Sequence, residues 1–277
     1  RRQRQMCIRD RDKGDHLLDT HTHILWNIDD GSKNQCMSLQ MLEIAARSGT
    51  KAIFATPHVI ERANKPSWEE IKEKTQQLRQ LCAEAQIDIM LYPGAEVQMN
   101  WELLPELGAT GAYCLNGGRY LLIELPAAEI PAYADEFWYE LELKGITPIL
   151  AHPERYQQLR ENPDLLLLWR RRGMLMQCNS GSFTGMFGSS VCENAKVLLA
   201  NGLVDLLGSD GHRSEGRNTD MSRAAAVIRQ LAGEEVLRQL TETNPQAILK
   251  NQEIELKQPK VLLEDKPKSF WQKLFGK

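Results

Sequence analysis

The six cysteines, at positions 7, 36, 82, 114, 178 and 192, include no Cys-x-x-Cys pair, which excludes zinc-ribbon and thioredoxin chemistry. Several lie inside apolar runs, where a buried, reduced thiol is expected. Aromatic residues are only 6% of the chain, and 34 basic against 37 acidic residues leave a net charge of −3. Neither a basic, aromatic-lined groove for nucleic acid nor a field drawing the chain to polyanions is therefore expected. No apolar run approaches the roughly 20 residues of a spanning helix. The run at 165–169 is short and ends in Arg170-Arg171-Arg172. No secretory signal pattern is visible, so the expected location is the reducing cytoplasm.

The two ends read differently from the middle. Residues 1–15 are polar and without periodicity, and we expect a disordered or non-native leader there. The stretch 16–254 reads as one globular domain. Residues 255–277 form a lysine-rich tail in which Phe270, Trp271, Leu274 and Phe275 share one helical face. Such a tail either packs on the domain or docks a partner or an anionic membrane surface.

Within the domain, seven short apolar runs read as buried strands, at 17–19, 52–55, 89–92, 120–125, 147–151, 175–179 and 204–208. Helical patterns separate most of them. Ser67 with Glu70 three residues on predicts a capped helix through Glu84. Asn162-Pro163 predicts the start of a helix ending at Gly173, and Gly49, Gly145 and Gly202 stand where helices stop. Continuous rather than alternating strands, each followed by a helix, imply a parallel α/β sheet, and seven of them imply closure into a barrel. In such barrels the functional groups follow the strands' C-terminal ends.

Those ends carry a distinct residue set. After the first strand come His21 and His23, in Asp19-Thr20-His21-Thr22-His23, then Asp29-Asp30-Gly31. Residues i and i+2 of a strand point to one side, so both imidazoles can reach one centre. The following ends bring His58, Glu96, Glu124, His152 and the block Gly208-Ser209-Asp210-Gly211-His212. Five of the six histidines thus fall at strand ends, interleaved with carboxylates and without thiolates. That donor set suits Mn, Fe or Zn, and nine donors exceed what one ion needs, implying two or three.

The blocks H-x-H, T-P-H, G-A-E, I-E, A-H-P-E-R-Y and S-D-x-H resemble the polymerase-and-histidinol-phosphatase (PHP) superfamily. Ile28-Asp29-Asp30-Gly31, Ala151-His152-Pro153-Glu154-Arg155-Tyr156 and Leu207-Gly208-Ser209-Asp210-Gly211-His212 more narrowly resemble the bacterial capsule and exopolysaccharide tyrosine phosphatases. The likeness runs from about Leu18 to Leu249, with all blocks in order. It implies a distorted (β/α)7, TIM-like barrel and a three-metal cluster with Mn2+ as the expected ion, Fe or Zn being possible. In that cluster His21, His23, Glu96 and Asp210 hold the first ion. Glu96 bridges to a second, completed by Glu124 and His152. Asp30, His58 and His212 hold the third, with Asp29 a supporting group. Arg155 and Arg217 are expected to bind phosphate oxygens, Arg213 being the weaker alternative to Arg217.

The activity implied is metal-dependent hydrolysis of phosphotyrosine by water attacking in line, without a covalent phosphoenzyme. The implied partner is a membrane-anchored bacterial tyrosine kinase that controls capsule or exopolysaccharide synthesis, and nucleic acid is not one. Thiolate tyrosine phosphatases use a Cys-x5-Arg loop. No cysteine here has that spacing, Arg119 being one residue too near Cys114. Rival readings are a small-molecule phosphatase of histidinol-phosphate type, a polymerase-associated exonuclease, and a metal-binding regulatory protein with a relic site.

Overall fold

The computed structural model describes residues 16–256 and 259, apart from 108–110 and 128. The expected leader over 1–15 and the apolar face at 270–275 lie outside the described residues.

The chain alternates strands and helices. The strands are β1 (Leu17–Thr22), β2 (Thr50–Ala55), β3 (His58–Val59), β4 (Met90–Pro93), β5 (Glu96–Gln98), β6 (Tyr120–Glu124), β7 (Thr147–Ala151), β8 (Leu175–Asn179) and β9 (Leu206–Gly208). The helices are α1 (Gln35–Arg47), α2 (Trp68–Glu84), α3 (Ala134–Leu143), α4 (Gln157–Glu161), α5 (Asp164–Arg171), α6 (Ser180–Phe183), α7 (Ser189–Ala200), α8 (Ser222–Ala232), α9 (Glu234–Arg238) and α10 (Asn244–Leu249). Ser67 caps α2 as its sequence predicts, its hydroxyl accepting from the Glu70 N–H at 3.1 Å. Helix α5 starts differently from expectation. Pro163, not Asn162, takes the N-cap position and no side chain caps it, because φ −67° and ψ −16° already place Pro163 in the helical region.

All strand pairings are parallel, in the orders β1-β2-β4 and β3-β5-β6-β7-β8-β9. Seven of the nine strands fall on the expected runs, and the other two, β3 and β5, are unexpected: they continue β2 and β4 past short interruptions. β2 and β3 are one strand interrupted at Thr56-Pro57, and β4 and β5 are one interrupted at Gly94-Ala95. Pro57 has no N–H to give a ladder. Beside the break the Thr56 hydroxyl accepts from the Thr22 N–H at 2.9 Å and so ties β1 to this point. At Gly94 a Cβ would lie 2.6 Å from a Leu115 methyl, so a larger residue at the second break would have to displace the Leu115 side chain. The barrel closes where β9 meets β1. The His23 N–H donates to the Gly211 carbonyl at 2.9 Å and the Asp210 N–H to the His21 carbonyl at 2.7 Å. The result is a seven-strand, distorted barrel wrapped in helices.

Period-two alternation sorts the strand side chains into layers. One apolar cluster contains Phe54, Tyr120, Leu122, Ile149, Ala151, Leu175 and Leu206, with Ile248 and Ile254 from the C-terminal segment packed among them. Further along the same strand faces stand Glu124, two residues after Leu122, and Gln177 and Asn179, two and four after Leu175. The interior is thus apolar toward the strand starts and polar toward the strand ends. The intervening residues, such as Ile53, Leu121, Ile123, Leu150 and Met176, join the larger core beneath the helices.

Candidate metal centre

Both strand breaks fall just before a sequence-predicted ligand: Thr56-Pro57 before His58, and Gly94-Ala95 before Glu96. Two more candidates, His152 after β7 and Asp210 after β9, have left-handed backbones at φ 36° and φ 52°. For non-glycine residues this costs on the order of 1–3 kcal/mol each and persists only where surrounding structure holds it. The local distortions therefore occur where side chains are turned into one space at the mouth of the barrel.

The nine predicted donors meet there. The Nε2 atoms of His21 and His23 are 3.1 Å apart, as the strand geometry requires. Glu96 Oε2 lies 3.1 Å from His21 Nε2 and 3.3 Å from His23 Nε2. Asp210 Oδ1 lies 3.5 and 3.3 Å from the same two nitrogens. His58 has one ring nitrogen on each side: Nδ1 is 3.1 Å from Glu96 Oε2 and 3.2 Å from Glu124 Oε1, and Nε2 is 3.7 Å from Asp30 Oδ1. His212 Nε2 is 3.3 Å from the same Asp30 oxygen. His152 Nε2 meets the other Glu96 oxygen at 2.8 Å.

Three overlapping donor groups result: His21, His23 and Glu96; His58, Glu96 and Glu124; and His23, Asp30, His58 and His212. They differ in detail from the division the family resemblance implies. His58 joins Glu124, and neither His152, which meets Glu96 Oε1, nor Asp210 falls in any of the three groups. The bridging position of Glu96 is common to both.

A cation fits these donors. Two bonds of about 2.1 Å at ordinary coordination angles separate their donors by roughly 3.0–3.4 Å, close to the spacings found. Glu96 Oε2, Asp210 Oδ1, His58 Nδ1 and His212 Nε2 are buried with no hydrogen-bond partner. Orphaned buried acceptors cost about 1–3 kcal/mol each unless something else satisfies them. The set is imidazole and carboxylate. Cys178, on β8, is buried, and burial pushes its thiol well above the usual range, so no thiolate is available from that strand.

Residues behind the donors fix their orientation. Asp29 accepts from His23 Nδ1 at 2.7 Å and from the His58 and Gly31 backbone N–H groups at 3.0 and 2.8 Å. That matches the supporting role expected of it. Gln177 Oε1 meets His21 Nδ1 at 2.9 Å, and the Asn179 amide donates to Asp210 Oδ2 at 2.6 Å. Asp19 accepts from the His21 and Ser209 N–H groups at 3.2 and 2.8 Å. Burial raises the Asp19 carboxyl to about 6. Sequence reasoning missed the orienting roles of Gln177, Asn179 and Asp19. A signal was present: two amides spaced i, i+2 in an otherwise apolar strand must face the polar half of the interior.

Burial would lower the pKa of His23, but Asp29, Asp210 and Glu96 around it outweigh this and hold it well above the usual value. Burial would raise Asp210, yet His21, His23 and Arg217 hold it well below. His212 is pushed down to about 4, by burial first and then by the charge of His23.

The two predicted arginines stand at the edge of this cluster. Asp210 divides its oxygens between the two groups of residues. Oδ1 faces His21 and His23, while Oδ2 accepts from Asn179, from Arg155 Nη1 at 3.2 Å and from Arg217 Nη2. Arg213 turns away, its guanidinium donating to the Gly31 carbonyl at 2.8 Å and to the Asp30 carbonyl. A cavity of about 410 Å3 lined by Trp138, Trp169 and Ile254 lies at the opposite end, where strands begin, away from every predicted ligand.

The chain is 34% identical over 238 residues to the tyrosine-protein phosphatase YwqE of Bacillus subtilis, covering 86% of this chain and 93% of that one. It superposes with a TM-score of 0.82, at 32% identity and over 90% of its own length and 100% of the other, on a chain from the crystal structures of YwqE and of CpsB from Streptococcus pneumoniae, described as unique metal-dependent tyrosine phosphatases. A histidinol phosphate phosphatase from Lactococcus lactis shares the fold alone, at 16% identity and a TM-score of 0.50 over 79% of this chain and 94% of that one. The sequence model of capsular polysaccharide synthesis proteins, CpsB/CapC, matches residues 17–250, which take in the whole barrel and every residue of the metal centre, and the chain belongs to that family.

Proposed function

We propose that the chain is a metal-dependent protein-tyrosine phosphatase acting on a phosphotyrosine protein, a membrane-anchored bacterial tyrosine kinase of capsule or exopolysaccharide synthesis. The observation that carries this reading is Asp210. One carboxylate ties a buried set of candidate metal donors to two arginines, so a phosphate group bound there would lie beside both the residues that would hold the ions and the guanidinium N–H groups. Bound divalent ions supply charge neutralisation and lower the pKa of a water toward neutrality. We assign their binding to His21, His23, Asp30, His58, Glu96, Glu124, His152, Asp210 and His212, with three ions and Mn2+ as the first choice.

The chain's own residues do the rest. Arg155 and Arg217 each give one nitrogen to Asp210 Oδ2 and keep their remaining N–H groups for phosphate oxygens. Asp29, Gln177 and Asn179 keep the donor atoms aimed inward. A phenolate leaving group, whose conjugate acid has a pKa of about 10, departs with little help from a proton donor. This makes phosphotyrosine a chemically easy substrate. The family's capsule context and the lack, among the described residues, of a helix long and apolar enough to cross a membrane agree with an enzyme that works in the cytoplasm on a kinase anchored elsewhere.

The test is to strip the protein of metal, restore Mn, and assay a phosphotyrosine peptide beside histidinol phosphate, with His152→Ala as control. Restored activity on phosphotyrosine, reduced at least tenfold in the variant, is expected. Turnover of histidinol phosphate alone would overturn the substrate assignment, and no metal-dependent turnover of either would overturn the reading.

A further inference from the structure

Arg155 and Arg217 come from loops after β7 and β9. The loop between them in space, after β8, brings up a side chain that the mechanism above does not use. The Phe187 ring lies against both guanidiniums, with Arg155 Cζ 4.8 Å and Arg217 Cζ 5.6 Å from its centroid. Phe187 is half-buried and sits in the short turn Gly185-Met186-Phe187-Gly188.

The turn is built to hold this ring. The backbone of Gly181 forms its floor: a Cβ there would lie 3.1 Å from Phe187 Cε2 and 2.9 Å from Met186 Sδ. The Met186 N–H closes the turn on the Gly181 carbonyl at 3.0 Å. The start of the loop is gripped by Glu154, the residue before Arg155. Its buried carboxylate accepts from the Asn179 N–H at 2.9 Å and from the Ser182 hydroxyl at 2.7 Å. Arginine and ring are therefore registered through one carboxylate.

Both arginines rest on Asp210 Oδ2 through one nitrogen each, so their other N–H groups must stay free to meet a phosphate. A second carboxylate holding them would compete with the substrate for N–H donors. An aromatic ring does not. It attracts the guanidinium through its face and leaves the N–H groups along the edge free.

Resting on the phosphate-clamp role given to Arg155 and Arg217 above, we propose that Phe187 is a positioning residue. Its ring holds the two guanidinium planes so that their N–H edges stay aimed at the substrate phosphate. The test compares Phe187→Leu, which keeps bulk but has no aromatic face, with Phe187→Trp, which keeps one. Calorimetry measures the affinity of the metal-loaded protein for inorganic phosphate, metal content is measured in each variant, and KM and kcat are measured on a phosphotyrosine peptide.

F187L is expected to weaken phosphate binding and raise KM about tenfold with metal content unchanged. F187W is expected to recover most of this. In protein already carrying Arg155→Ala and Arg217→Ala, F187L is expected to add less than about twofold. The proposal is overturned if F187L binds phosphate like the parent, if F187W is no better than F187L, if metal is lost, or if the full effect persists without the arginines. Because phosphate binding is read without turnover, a parent protein that binds phosphate but cleaves no phosphotyrosine would sink the substrate assignment and leave this proposal to the binding data.

Discussion

Asp29 and Asp30 are neighbours with the same side chain, and the structure uses them in opposite ways. Asp30 is largely exposed and reaches forward to His58 and His212. Asp29 is buried behind His23, and its carboxylate binds the ring nitrogen that faces away from the donor cluster. In the neutral imidazole a carboxylate there fixes the tautomer, placing the proton on Nδ1 and leaving the Nε2 lone pair for a cation. Asp29→Asn keeps the shape and removes the charge. Its expected outcome is a metal affinity lower by about 10- to 100-fold, measured by competition with a chelating dye, and a metal-stripped chain that melts a few degrees lower, because the amide NH2 must face one of the N–H groups that the carboxylate accepted from. Unchanged affinity would show that His23 is oriented by packing alone. Spacing in the sequence does not separate these two residues, since both follow the same strand in the same loop. The family resemblance does, by aligning position 30 with a ligand.

At the scale of the element, much of the barrel is legible and its irregularities are not. Seven apolar runs mark seven strands because a strand buried on both faces needs continuous apolar residues. The apolar runs end at the breaks Thr56-Pro57 and Gly94-Ala95, and the continuations at 58–59 and 96–98 are too short for periodicity to report them. Only the proline and the glycine hint at them. The division of His58 between two donor groups is equally hidden, since it depends on which way a ring turns after a broken strand. The seam of the barrel is another such feature. Gly208 of β9 lies so close to β1 that a Cβ would stand 2.5 Å from His21 Cβ, 3.0 Å from His21 N and 2.9 Å from Gln177 Nε2. Gly208→Ala must therefore push β1 outward at the first predicted ligand. Such overpacking costs about 1–3 kcal/mol. The variant is expected to melt several degrees lower and to bind less metal than the parent. A variant with both properties unchanged would mean that the seam opens more easily than these contacts imply.

The whole molecule is a barrel open at one end and stoppered at the other. Tyr120, Leu122, Ile149, Leu175 and Leu206 fill the closed end, and the stopper is the C-terminal segment, which inserts Ile248 and Ile254 among them. Polar bonds fasten it. Asn251 Oδ1 accepts from the Arg119 N–H at 2.9 Å, and the Tyr120 hydroxyl donates to the Gln252 carbonyl at 2.6 Å. Burying two isoleucines is worth roughly 3–6 kcal/mol, a large share of the stability of an ordinary domain. The position of a cut should therefore decide its effect. A chain ending at Thr243 loses both isoleucines and is expected not to fold cooperatively in thermal or urea melts. A chain ending at Leu256 keeps every contact named above and is expected to melt and to hydrolyse a small aryl phosphate like the parent. If the lysine-rich segment beyond docks a kinase or the membrane that carries it, the same cut should slow dephosphorylation of the intact kinase severalfold. Equal rates on the kinase with and without residues 257–277 would confine recognition to the barrel mouth, where Arg155, Arg217 and the donor cluster already lie.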